Sequence, residues 1–397
     1  MAGWEVKTLG EVCTIKPPKA EARAKLSDDD EVSFVPMEDL GIGVKYMQPL
    51  RTRPLCEVSG SYTYFADGDV LLAKITPCFE NGKLGIARDL NNGIGFGSSE
   101  YIVLRPKPSL NAEFLYYYLA RPKFLEEGAR TMTGAVGHKR VAKEFVENYP
   151  IPMPSISEQR RIVAILDEAF EGIATVKENA EKNQQSAREL FEIFMQSLFS
   201  EHGSGWAEKA LEDVCEISST LVDPRESDFL DLQHIGAGNI ESKTGVLANI
   251  KTAREEQLIS GKFLFDQSTV LYSKIRPYLM KVARPTFSGL CSADIYPLVP
   301  KSGSIDRNYL YHLLLTPAFT EYAIQGSARA GMPKVNREHL FAYRAWIPPV
   351  REQAQIAARL DALLHEVQRL IGMHEAKLMF LEELKKSLLH QAFTGQL

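Results

Sequence analysis

Residues 149–167 read YPIPMPSISEQRRIVAILD, and residues 346–361 read WIPPVREQAQIAARLD. In each, a proline-rich stretch leads into Glu-Gln and then into an apolar-periodic segment. Glu158-Gln159 and Glu352-Gln353 stand 194 positions apart, and Leu166-Asp167 and Leu360-Asp361 keep that offset. Upstream, GDVLLAKITP (68–77) matches QSTVLYSKIRP (267–277), FLYYYLARPKF (114–124) matches YLYHLLLTPAF (309–319), and WEVKTLGEVCTI (4–15) matches WAEKALEDVCEI (206–217). The matches fall in the same order in both halves, so the chain is built twice.

Prolines cannot continue a helix, and Ser155 and Glu158 have capping-box spacing, so a helix starts at this junction. Its apolar positions follow steps of four and three through Ile162, Leu166, Ala169, Ile173, Val176, Ala180, Asn183, Ala187, Leu190 and Phe194. The second copy, 194 positions on, gives Ile356, Leu360, Leu363, Val367, Leu370, His374, Lys377, Leu381, Leu384 and Leu388. Such spacing reads as a coiled-coil seam, which one helix cannot bury alone. The expectation is that the two helices pair antiparallel about a pseudo-two-fold axis, with Ala180/Asn183 and His374/Lys377 meeting as polar central layers. At 1.5 Å per residue, about 40 residues make a rod of roughly 60 Å.

Before each helix the sequence mixes short β-type runs (VLLAKI, EYIVLRP, TVLYSKI, IYPLVP) with helical stretches (AEFLYYYLARPKFLEEG, RNYLYHLLLTPAFTEYAI). That pattern predicts an α+β domain in each half. The expected division is 1–154 for the first domain, 155–200 for its helix, 201–348 for the second domain and 349–397 for its helix. The soft sequence SEHGSGW (200–206) joins the halves. A length of 397 residues suits two domains, and no apolar run reaches the roughly 18 residues of a membrane span. Five scattered cysteines without a CxxC pair, and a start without a secretory signal, point to a reducing, cytoplasmic setting, with the thiols as buried small hydrophobes.

The formal net charge of -5 argues against indiscriminate coating of nucleic acid. Charge is nevertheless uneven. Residues 121–143 carry six Lys/Arg against two Glu, and residues 251–285 carry seven against three acids, while the helical segment 158–200 carries five basic and eight acidic residues. The loop TMTGAVGHKR (131–140) and its counterpart QGSARAGMPKVNRE (325–338) combine glycine, hydroxyls, amides and cations, the groups that grip phosphates or read base edges. Candidate DNA contacts are Thr133, His138, Lys139 and Arg140 in the first half, and Arg329, Lys334, Asn336 and Arg337 in the second. A second element, AKITP and SKIRP, places Lys74 and Thr76 beside Lys274 and Arg276 where a strand ends, a position suited to phosphate contact. Tyr116, Tyr117 and Tyr118 read as packing rather than as a stacking platform.

Catalytic signatures are missing from the sequence. The only Pro-Pro pairs, Lys16-Pro17-Pro18-Lys19 and Ile347-Pro348-Pro349-Val350, lack the surroundings of an amino-methyltransferase motif; there is no P-loop and no HExxH, and the eight histidines show no metal-ligand spacing. The two proline-rich junctions, with the terminal LEELKKSLLHQAFTGQL and its degenerate copy ARELFEIFMQSLFSEHG, resemble the specificity subunit of type I restriction-modification systems over essentially the whole chain. The resemblance implies two target-recognition domains, each reading half of an asymmetric bipartite target in double-stranded DNA, held apart by helices that dock two methylation subunits. Restriction subunits would join the full complex. S-adenosylmethionine and ATP with Mg would sit on those partners, with no cofactor or metal on this chain and no role for a membrane. The alternative from another class is a stand-alone DNA-binding regulator, which would need a broader basic face.

Overall fold

A computed structural model describes residues 3–135, 137–201, 203–327 and 333–397. The chain forms two compact units, residues 1–180 with 376–397, and residues 181–375.

The first unit contains β1 (Glu5–Thr8), β2 (Cys13–Ile15), α1 (Ala20–Lys25), β3 (Glu31–Val35), β4 (Arg51–Pro54), β5 (Thr63–Ala66), β6 (Val70–Ala73), β7 (Leu84–Ile86), β8 (Ile94–Gly97) and β9 (Tyr101–Pro106). Helices α2 (Ala112–Leu119) and α3 (Pro122–Thr131) follow, then β10 (Pro150–Met153) and the long helix α4 (Ile156–Ser200), whose residues after 180 belong to the second unit. One sheet has the order β2-β9-β6-β7, a second β4-β3-β8-β5, and β1 pairs with β10. Among the described strands of this unit, β3 and β8 form the one parallel pair. The run VLLA of β6 is apolar throughout because both faces are covered. Val70 and Leu72 enter the core under α2, while Leu71 and Ala73 enter the core shared with Phe65 and Val35. Alternate side chains of a strand point to opposite faces, so a strand between two cores loses its polar alternation.

The second unit repeats this plan with β11 (Ala207–Ala210), β12 (Cys215–Ile217), β13 (Leu221–Val222), β14 (Gln233–Ile235), β15 (Lys251–Thr252), β16 (Lys262–Phe265), β17 (Val270–Ser273), β18 (Val282–Ala283), β19 (Gly289–Cys291) and β20 (Ile295–Pro300). It continues through α5 (Arg307–Leu313), α6 (Pro317–Gln325), β21 (Arg344–Ile347) and the long helix α7 (Val350–Thr394), whose residues from 376 on belong to the first unit. The sheets are β12-β20-β17-β18 and β13-β16-β19-β14-β15, with β11 paired to β21. The parallel pair recurs as β14 and β19. The units differ after β2 and β12, where the first has helix α1 and the second the edge strand β13.

Each helical stretch read as continuous breaks in two, at Arg121-Pro122 and Thr316-Pro317. The residue before proline is pushed out of the helical region, and Arg121 and Thr316 are both extended, with ψ of 137° and 146°. Proline then occupies the first turn of the next helix, where its missing N–H costs nothing. The three consecutive tyrosines are buried in the first core. Cys13, Cys215 and Cys291 are buried as expected, whereas Cys78 is half-buried and Cys56 exposed.

Within each unit the long helices run antiparallel. In the first, Arg161 donates to the Leu397 carbonyl (2.7 Å), Lys385 lies 5.1 Å from the Phe170 ring centroid, and Lys177 approaches Glu382 (3.4 Å). In the second, Arg359 lies 5.7 Å from the Phe194 ring and Gln184 meets Glu375 (3.4 Å). Ile162, Leu166, Ile356, Leu360 and Val367 are buried, and Ile173 is half-buried. The strict four-three spacing fails further along. Leu190 is 67% exposed and Leu384 37%, and Asn183 and Lys377 are exposed rather than forming central layers. The covered line keeps Ala180, Ala187 and Phe194 but moves the alternate positions by one, to Gln184 and Phe191, and in α7 to Ile371, Leu378 and Lys385. An α-helix of 3.6 residues per turn drifts about 20° per heptad against a 3.5-residue repeat, and here the drift brings the neighbouring position to the inside.

The repeated Glu-Gln-…-Leu-Asp signature is explained by packing. The Gln159 side chain is fully buried; it accepts from the Asn111 N–H (2.8 Å) and donates to the carbonyls of Ser109 (2.9 Å) and Pro154 (3.0 Å). Gln353 makes the same bracket with Asp306 N–H (2.6 Å) and the carbonyls of Ser304 (3.2 Å) and Pro348 (2.7 Å). Asp167 accepts from Lys45 (2.6 and 2.7 Å) and the Tyr117 hydroxyl, and Asp361 from Arg284 (2.9 Å) and His312 Nε2 (2.8 Å). These residues fasten the start of each long helix to the domain that precedes it.

Candidate nucleic-acid interface

The two basic elements read separately from the sequence form one site in each unit. In the first, Thr76 N–H donates to the Lys139 carbonyl (2.9 Å) and Val141 N–H to the Lys74 carbonyl (2.9 Å), so the strand end after β6 pairs with the loop. Thr133 and Arg140 exchange both backbone hydrogen bonds (3.1 and 2.8 Å), closing the loop into a narrow turn. In the second unit, Arg276 N–H donates to the Pro333 carbonyl (2.9 Å) and Val335 N–H to the Lys274 carbonyl (2.8 Å). Backbone pairing of this kind fixes the direction in which the cations leave the sheet. Thr133, His138, Lys139, Arg140, Arg276, Lys334 and Arg337 are exposed, while Lys74, Thr76 and Lys274 are half-buried. Arg329 lies outside the described residues.

Glu100 and Asp294, also 194 positions apart, belong to this site and were not singled out from the sequence. Glu100 receives Arg140 in a two-pronged pair (2.9 and 2.8 Å) and lies 4.0 Å from Lys74. The Arg140 hydrogen bond holds the Glu100 carboxyl below its ordinary value, so it stays ionised and orients the guanidinium. Asp294 stands 3.9 Å from Lys334. The repeat offset applied to SSE (98–100) and SAD (292–294) carries this signal. Burial, reinforced by Lys334, lowers the Lys274 ammonium from its ordinary value, and its Nζ lies 5.0 Å from the Tyr296 ring centroid. An incoming phosphate would relieve that repulsion.

Two of the candidate residues already have hydrogen-bond partners. The Asn336 Oδ1 accepts from His339 N–H (2.7 Å) and caps the helix Arg337–Phe341. The cap occupies one lone pair of the amide oxygen and fixes the side chain's orientation, so any reading of adenine by Asn336 would use the second lone pair together with the amide nitrogen. Thr76 likewise spends its hydroxyl hydrogen on Glu80 (2.7 Å), leaving acceptor capacity only.

The comparisons with known proteins agree with this architecture. The chain is 37% identical over 218 residues to the type I restriction enzyme EcoEI specificity subunit of Escherichia coli, covering 54% of this chain and 35% of that protein. It is 31% identical over 273 residues to the EcoAI specificity subunit of the same organism, covering 66% and 46%. The chain thus spans less than half the length of these curated relatives it matches. A solved chain from work on complex assembly and conformational transition of the type I R-M system superposes with a TM-score of 0.80 at 19% identity, covering 100% of this chain and 99% of that one, and so shares the fold. The family model described as type I restriction modification DNA specificity domain matches residues 1–184 and 203–372, one copy for each repeat, and the chain belongs to that family.

Proposed function

We propose that this chain selects the DNA target of a type I restriction-modification complex, each unit binding one half of a bipartite sequence. The observation that carries the reading is the recurrence, in both units, of a strand-end lysine backbone-paired to a basic loop, with the cations directed by an adjacent carboxylate. Phosphate contacts from Lys74, Lys139, Lys274, Arg276 and Lys334 would position the duplex, and Thr133, His138, Arg140 and Arg337 would lie beside base edges. Arg329 is assigned by sequence alone. The paired helices would set the spacing of the half-sites and dock two methylation subunits, because a repeated surface offers two equivalent places. Restriction subunits would complete the assembly. Bond-making chemistry, with S-adenosylmethionine and ATP with Mg, would reside on the partners. Among the described residues no helix is long and apolar enough to cross a membrane.

The test is a map of methylated adenines in cells carrying the partner methylation subunit, with this chain present or deleted. Loss of one bipartite motif on deletion is expected. An unchanged map, with the partner active, would favour a stand-alone DNA-binding regulator.

A further inference from the structure

In the first unit a cleft of ≈ 430 Å³ opens beside the Lys74 and Arg140 segment; among the described residues its walls carry five cations, Lys16, Lys19, Lys74, Arg140 and Lys143, and no carboxylate. Three of these already have acidic neighbours: Arg140 and Lys74 share Glu100, and Lys143 pairs with Glu147 (2.5 Å). Lys16 and Lys19 enter no ion pair among the described residues. Lys19 donates only to the Ser59 and Gly60 carbonyls (3.2 and 2.7 Å), and burial, with Lys16 and Arg23 nearby, lowers its ammonium from the ordinary value. Two prolines separate Lys16 from Lys19 and restrict the backbone between them, and both lysines line the cleft. Tyr62, half-buried, supplies an aromatic wall.

The second unit keeps only part of this arrangement. Lys74, Arg140 and Lys143 have counterparts in Lys274, Lys334 and Arg337. Lys16 follows β2 and donates its N–H to Val103 (2.8 Å); Ser218 follows β12 and donates to Pro297 (2.9 Å), the same place on the repeated sheet. Three residues further on the units no longer correspond, since Lys19 leads into helix α1 whereas Leu221 opens the edge strand β13. The second unit therefore has neutral Ser218 in the place of Lys16, and among the described residues no counterpart of the α1 entry that carries Lys19.

We propose that the first-unit cleft is a phosphodiester subsite in which Lys16 and Lys19 hold the DNA backbone, and that the second unit lacks it, so that the two recognition units grip DNA unequally. This rests on the DNA-recognition reading given above. A cleft whose charged lining is cationic among the described residues favours an anion, and its continuity with the paired basic segment puts it along the path of the same duplex. The electrostatic load of binding then falls more on the first half-site, leaving the second more dependent on direct base reading.

The test measures binding of the full chain to a mixed-sequence DNA duplex by fluorescence anisotropy, from about 50 to about 200 mM salt. Lys16→Asn combined with Lys19→Gln is expected to reduce the slope of log affinity against log salt by about 1.8, since each lost phosphate contact removes about 0.9. Lys16→Asn alone leaves the Lys19 carbonyl bonds in place, suits the positive φ of 59° at residue 16, and is expected to remove about 0.9. Lys182→Gln with Lys377→Gln, which removes the same charge from the exposed faces of the long helices, should leave the slope unchanged. An unchanged slope in the cleft variants, or an equal fall in the helix control, overturns the subsite while leaving DNA recognition intact. Stabilisation of the parent alone by inorganic phosphate, with the slope preserved in the variants, would assign the cleft to a small phosphorylated ligand and also overturn it. A parent that binds no duplex even when assembled with its methylation subunits overturns the recognition reading itself, and the subsite with it.

Discussion

Asp167 and Asp361 do the same work with different neighbours, and the difference has a consequence in acid. Asp167 is held by Lys45 and the Tyr117 hydroxyl, whereas Asp361 is held by Arg284 and the fully buried His312. Burial lowers the His312 imidazole from its ordinary value, outweighing the upward pull of the Asp361 hydrogen bond, so the ring is neutral and donates through Nε2. Burial raises the Asp361 carboxyl, but the His312 and Arg284 hydrogen bonds outweigh it and keep the group below the usual carboxylate range. Only the histidine therefore titrates in mild acid. Below about pH 6.5 the unfolded chain takes up a proton that folded His312 refuses, so stability falls as pH falls, by up to about 1.4 kcal/mol per pH unit. His312→Gln keeps a donor toward Asp361 and removes the titration. Denaturant midpoints measured between neutral pH and mild acid should decline less steeply in this variant than in the parent. His234, also buried and lowered, contributes equally to both proteins. Parallel pH profiles would show that His312 does not carry the effect.

At the scale of the element, the helices are where spacing and burial part company. Leu190 satisfies the four-three rule and is 67% exposed; Met195 breaks it and is 2% exposed, packed in the second core with Ile356 and Leu360. Truncating an exposed side chain changes stability by no more than about 0.5 kcal/mol, whereas emptying a buried one costs about 2–5 kcal/mol. Met195→Ala should therefore lower the urea midpoint clearly while Leu190→Ala leaves it nearly unchanged. The reverse order would restore the strict heptad seam. The basic loop was marked in the sequence by its glycine and cation content. Its pairing partner was legible as a motif but not as a neighbour, because the backbone bonds from residue 74 to 141 and from 274 to 335 join segments some 60 residues apart.

For the molecule as a whole, the end of the chain is part of the first core. Leu389, Ala392 and Phe393 are buried there, and the Phe393 ring meets Phe114 and Tyr118 at centroid distances of 4.9 and 5.0 Å. Removing residues 376–397 should uncover that core while leaving residues 181–375 with their own. Hydrogen exchange on the truncated chain is expected to show lost protection in 1–180 and retained protection in 181–375. Full protection in both segments would mean that the terminal helix is dispensable to the first core.

The sequence by itself determined the repeat, the α+β character of each half, the helix starts and the basic character of the loops. These follow from local chemistry: proline stops, capping spacing, apolar periodicity and charge are properties of neighbouring residues. Only the tertiary structure decided which face of each long helix is covered, because a 3.6-residue turn slides against a seven-residue pattern and the packing partner selects the phase. Tertiary structure also committed the Asn336 oxygen to a helix cap, brought Glu100 and Asp294 to the basic segments, and gathered Lys16 and Lys19 into a cleft with Lys74. A hydrogen bond, an ion pair or a shared cavity depends on distance in space, which sequence separation does not fix.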